Sequence, residues 1–155
     1  MEHQTELRQH LKELLDGRSA HIDLEKALTD FPVTEINTRV ANSPHTAWEL
    51  LEHIRIAQWD ILEFSRDARH ESPDFPEGYW NKNDATAEDW HRAVEATLAD
   101  LQAVRDLVAD ENTDLFAKIP HGDGQTVLRE ALLVADHNAY HLGQLMLVRR
   151  MLEAT

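Results

Sequence analysis

The chain has 155 residues, a length that fits a single domain over residues 1–155, and its 29 Asp and Glu outweigh 15 Lys and Arg to give a formal charge of −14. Such a field repels phosphate backbones and anionic lipid, so nucleic acid and membrane surfaces are not expected partners. The absence of cysteine removes disulfides, thiolate metal ligands and a cysteine nucleophile, which leaves imidazole and carboxylate to build any transition-metal site.

Residues 1–16 alternate charged and apolar positions, so no signal peptide is expected. The longest apolar run, residues 131–135, is far short of the roughly 20 residues that span a bilayer, and the chain reads as cytoplasmic. All five prolines fall between segments of helical periodicity. A first helix is expected over about 5–16, with Leu7, Leu11, Leu14 and Leu15 on one side, and Gly17 is expected to break it before a second piece over about 19–29. After a loop over 31–43, Thr46-Ala47-Trp48-Glu49 has the reciprocal capping pattern of a helix start, and that helix carries Leu50, Leu51, Ile54, Ala57, Ile61 and Phe64 to about Arg66. A long loop, 67–85, holds Phe75, Tyr79 and Trp80. Thr86 to Asp89 caps a third long helix ending near Ala109, and another loop precedes a last helix over about 125–152. No segment alternates as a strand would. The predicted architecture is all-α, an antiparallel four-helix bundle with its first member broken near Gly17.

Projection at about 100° per residue selects the histidines that matter. On the last helix Val127, Val134, Leu145, Val148 and Met151 form the core stripe; His141 falls inside it, His137 lies at its edge one turn earlier, and Asn138 points inward. His53 lies on the edge of the apolar arc of the second long helix. Ten histidines make one i, i+4 pair unremarkable by chance, so burial of the pair is the informative part. Two readings stay open on spacing alone: core histidines satisfied by hydrogen bonds, or three imidazoles from two helices around one divalent ion with a coordination position left open. Glu49, Asn138 and Gln144 are candidates to orient the rings, Asp136 projects away from the core, and Tyr79, Trp80 and His121 are candidates to line or cover a pocket. His3, His10, His21, His70 and His91 are expected to be exposed. Competing patterns fail: only Glu88-Asp89-Trp90-His91 matches Glu-x-x-His, His-Glu-x-x-His is absent, and Gly122-Asp123-Gly124 lacks the context of a phosphate loop. Opposite the histidine face lie Leu132, Ala139, Gly143 and Met146. A helix apolar nearly all round, with an interior glycine that costs up to about 1 kcal/mol, predicts a homodimer through this face, unless a loop or the first helix covers it.

Trp48-Glu49-Leu50-Leu51-Glu52-His53 with Gln58-Trp59-Asp60-Ile61-Leu62, and His121 to Thr126 followed by Asp136-His137-Asn138-Ala139-Tyr140-His141-Leu142-Gly143-Gln144-Leu145, resemble the second and last helices of the DinB-like (YfiT-like) superfamily. The resemblance covers nearly the whole chain. It implies a four-helix bundle, usually dimeric, holding one divalent metal ion, often zinc or nickel, on three histidines, here His53, His137 and His141. It further implies that some members are transferases or isomerases using a low-molecular-weight thiol. The expected function is therefore a metal-dependent enzyme in which an ion with an open position activates a small thiol (S-transferase type) or water toward a small-molecule substrate. With no cysteine in the chain, the thiol is a cosubstrate. The alternative is a non-catalytic metal- or ligand-binding dimeric bundle in stress response.

Overall fold

The computed structural model describes residues 2–154, and these form helices α1 (Glu2–Asp16), α2 (Leu24–Thr29), α3 (Ala47–Arg66), α4 (Ala87–Ala109) and α5 (Val127–Glu153), with 3-10 turns at Val33–Glu35 and Glu77–Tyr79. Among the described residues there is no strand, only an isolated bridge between Lys118 and Thr126. No described helix is long and apolar enough to cross a membrane.

Local chemistry explains the boundaries. α1 stops at Gly17, whose φ of +67° is a left-handed conformation that side-chain-bearing residues rarely adopt, and the Gly17 N–H closes the end on the Leu14 carbonyl at 3.1 Å. The second piece is shorter than its periodicity suggests. Residues 17–23 are a turn because Asp23 is the N-cap of α2, accepting from the Lys26 N–H at 2.8 Å. Reciprocal capping boxes open α3 (Thr46 with Glu49) and α4 (Thr86 with Asp89), as the sequence predicts, and Thr126 caps α5.

One core cluster runs through the bundle. α4 buries Trp90, Ala93, Thr97, Leu101, Val104 and Val108 at helical spacing, and α5 buries Val127, Ala131, Val134, Leu142, Leu145 and Val148. α1 and α3 each pack against both α4 and α5. Pair contacts fix the directions. Gln58 of α3 meets Thr97 of α4 (2.7 Å), and further along both helices Ile61 and Ser65 line one small cavity with Val104 and Val108, so α3 and α4 run the same way. Arg8 of α1 donates to the carbonyls of Val108 and Thr113 past the end of α4, while Asp16 pairs with Arg105 (2.8 Å), so α1 is antiparallel to α4. α3 is antiparallel to α5, with His53 beside His137 and Phe64 beside His121.

Two consecutive helices that run in the same direction need a connection that returns the whole length of the first, about 30 Å for 20 residues. The 67–86 segment is that return. It climbs the flank of α3 from end to start: His70 meets Asp60, Tyr79 meets Asp60 and His53, Asn81 meets Glu52, and Ala85 pairs reciprocally with Asn37 at 2.8 and 3.0 Å. The crossover therefore brings aromatic side chains to the histidine end of the bundle.

Candidate metal centre

α3 and α5 cross so that His53, His137 and His141 each turn one ring nitrogen inward, and the three nitrogens lie within 4.8 Å of one another. His53 Nε2 and His137 Nε2 are 3.1 Å apart. In a tetrahedral zinc site with Zn–N near 2.0–2.1 Å the nitrogens sit roughly 3.3 Å apart, so this pair is already at ligand spacing.

Two of the rings are aimed from behind. His53 Nδ1–H donates to the Tyr79 carbonyl at 2.9 Å, and His141 Nδ1–H donates to Gln144 Oε1 at 2.7 Å, which leaves the Nε2 lone pair of each facing the site. His137 has no such support: its Nδ1 is buried without a hydrogen-bond partner among the described residues. Burial lowers the pKa of all three. For His137, burial followed by the neighbouring His141 and His53 pushes it down to about 4. For His53 and His141 burial outweighs the opposing hydrogen bonds from Tyr79 and Gln144. At neutral pH the trio is uncharged, the form in which imidazole is a ligand.

Aromatic rings wall the site. Trp80 lies flat on His53 (centroids 3.8 Å apart, 3° between planes), and His45 covers the opposite face of Trp80 at 3.9 Å. Tyr140 meets His141 edge-on at 4.9 Å. His45 Nδ1 is 3.5 Å from a Glu49 carboxylate oxygen, and with Trp80 between it and His53 it stands outside the three-nitrogen group.

The structure brings some of the sequence candidates here and not others. Gln144 orients His141 as expected. Tyr79 and Trp80 reach His53, Tyr79 through its backbone carbonyl. Glu49 does not touch the His53 ring. Its carboxylate accepts from the Thr46 N–H and pairs with Arg39 and His45. Asn138 is buried, but its amide donates to Gln58 Oε1 at 2.7 Å and not to a histidine. His121 lies at the far end of α3, where Nε2–H donates to the Phe64 carbonyl at 2.7 Å, 11 residues and so about 16 Å along the helix from His53. Asp136 is exposed. His70 corrects the expectation of exposure: its side chain is only 7% accessible, because Asp60 accepts its Nε2–H at 2.7 Å and Trp59 packs on it edge-on. Asp60 is a residue that the sequence reading does not single out, whereas His45, whose place near the start of α3 lets it approach the site, does stand beside it. The one available signal was Asp60 standing seven residues after His53, on the same face of α3.

The donor set suits a borderline ion such as zinc or nickel: three neutral imidazoles and no carboxylate, where calcium or magnesium would require oxygen ligands. The close Nε2 pair of His53 and His137 fits the same ion, since a cation between the two ring nitrogens takes the place of the proton they share without it. No curated protein and no solved structure matches the chain at a significant level. A family model, that of the DinB superfamily, does match over residues 18–145, a stretch that includes His53, His137 and His141 and the crossover between α3 and α4; the chain belongs to the DinB superfamily.

Proposed function

We propose that His53, His137 and His141 hold one divalent ion, zinc or nickel, and that the protein is a cytoplasmic metal-dependent enzyme acting on a small molecule with a low-molecular-weight thiol or water as nucleophile. The observation that carries this reading is the aiming of His53 and His141 from Nδ1, which presents unprotonated Nε2 atoms to a common point. Three protein ligands leave coordination open, and an ion so held acts as a Lewis acid that lowers the pKa of a thiol or water. The chain's own residues bind and orient: Tyr79 and Gln144 fix two ring tautomers, and Trp80 with His45 excludes water from one side of His53. Neutral ligands leave the full double charge on the ion, which favours an anionic nucleophile despite the acidic exterior.

The test is metal content and turnover. Protein purified without a histidine tag and incubated with zinc or nickel should retain close to one equivalent per chain; less than about a tenth would overturn the metal reading. Electrophiles screened with several thiols should turn over with wild type and not with His141→Ala. Background rates in both would leave a metal-binding bundle without catalysis.

The same proposal includes a homodimer through the exposed face of α5. Leu132 is 44% accessible there beside exposed Ala139 and Gly143, with Tyr140 and Leu147 at 65% and 58%, whereas Met146, expected on this face, is half-buried against the core. A Cβ added at Gly143 meets nothing within 4 Å and the position is exposed, so the backbone of the single chain accepts a side chain there. The expected effect of Gly143→Leu is a weakened dimer, read as a lower mass by light scattering at micromolar concentration; an unchanged mass would rule this face out.

A further inference from the structure

Asp60 has no place among the proposed ligands, yet it is 9% exposed and is the point to which the crossover is fastened. A carboxylate is costly to bury unless its oxygens are satisfied. Here Oδ1 accepts from His70 Nε2–H at 2.7 Å and Oδ2 accepts from the Tyr79 hydroxyl at 2.6 Å. Those two donors come from opposite ends of the 70–79 stretch, so one side chain of α3 grips both.

Tyr79 is bound twice. Its phenol is held by Asp60, and its backbone carbonyl accepts the Nδ1–H of His53. Asp60 and His53 are seven residues apart on one face of α3, about 10 Å along its axis, and the Tyr79 residue spans that interval as a strap. The next residue, Trp80, then lies flat on the His53 ring, and Asn81 donates to buried Glu52 at 3.2 Å. The carbonyl that selects the His53 tautomer belongs to a short 3-10 turn, Glu77–Tyr79, which includes exposed Gly78 and follows exposed Phe75. Nothing intrinsic to a three-residue turn holds a carbonyl on an imidazole; the grip on the phenol supplies that constraint.

We infer that Asp60 is a positioning residue for the metal centre, acting through the Tyr79 hydroxyl to set the carbonyl that orients His53, with His70 anchoring the start of the same segment. The inference rests on the three-histidine reading. Outer partners of metal-ligating histidines govern affinity by about 10–100-fold, and Asp60 lies one link further out than the carbonyl itself.

The experiment compares zinc affinity, by competition with a chromophoric chelator, and the visible spectrum of the cobalt(II)-loaded protein for wild type, Tyr79→Phe, Asp60→Asn and the double variant, all well below their melting temperatures. Tyr79→Phe removes one oxygen and keeps the ring, so it remains informative if Asp60→Asn folds poorly. The expected result is a loss of about 10-fold in zinc affinity for each single variant with a changed cobalt spectrum, and no further loss in the double variant, because both act along one chain. Lower melting temperatures with wild-type affinity and spectrum would reduce Asp60 to a loop anchor and overturn the inference while the metal reading stands. Losses that multiply in the double variant would overturn it too. Wild type that binds neither ion would remove the metal reading, and the inference with it.

Discussion

Replacing His137 with alanine is expected to lower zinc or nickel affinity by more than about 100-fold while leaving the helices intact. The bound on affinity follows from comparison: losing an outer hydrogen bond to a ligating histidine costs about 10–100-fold, and losing the ligand itself must cost more. The bound on structure follows from what the side chain touches. His137 Nδ1 has no hydrogen-bond partner among the described residues, its Nε2 meets only His53 Nε2, which can turn to water in the space left, and the ring is half-buried at the edge of the core stripe. Circular dichroism should be unchanged and the metal-free melting temperature nearly so. His53→Ala makes an instructive contrast. It strips Trp80 of one of its two stacking partners and leaves the Tyr79 carbonyl without its donor, a loss of about 1–3 kcal/mol of stability on top of the lost ligand. His141→Ala should fall between, since half-buried Gln144 can turn to water. Equal zinc affinity in wild type and His137→Ala, measured by chelator competition, would exclude the three-nitrogen group as the binding site.

How much of this was legible follows from the range of the interactions that fix each element. The long helices are set by local signals: Thr46 with Glu49 and Thr86 with Asp89 lie three residues apart, and the apolar stripes repeat each turn, so boundaries and inward faces could be read directly. The trio of histidines was legible for the same reason, as each sits on or beside an apolar arc. The course of 67–86 was not. It has no periodicity, and the pairs that fix it join residues 10, 19, 29 and 48 positions apart. The same limit explains the orienting candidates. Gln144 is three residues from His141, a local pair, and it was found. Glu49 lies one turn before His53, but as the third residue of α3 its carboxylate is committed to the cap and to Arg39. Asn138 points inward, as its place on the helix predicts, but toward Gln58. Asp60 stood on the right face, but among 29 acidic residues it becomes distinctive only once Tyr79 is placed beside it.

The metal-free protein should lose stability as pH falls from about 6.5 to about 4, and His137 should account for a separable part of the loss. The sign follows from the direction of its shift. In the unfolded chain this imidazole takes up a proton near 6.5, while in the folded chain burial and the two neighbouring histidines delay uptake to about 4. Between those values the unfolded state binds more protons, so acidification favours unfolding, and below about 4 the effect of this group is complete. The interval corresponds to about 2–3 kcal/mol after allowance for solvent screening, and the downward shifts of His53 and His141 add in the same direction. Carboxylates titrate in the same range, so the wild-type curve alone is not diagnostic; the difference from His137→Gln is. The two proteins should melt together at pH 7, with the variant the more stable by roughly 5–10 °C near pH 4. Zinc should sharpen the contrast, because a ligand of the folded state alone adds stability at pH 7 that protons remove on the way down, and only wild type should show that added slope. Parallel melting curves for the two metal-free proteins across this range would mean that the His137 imidazole is not held uncharged by its surroundings, and the case for a preformed trio of neutral ligands would lose its electrostatic basis.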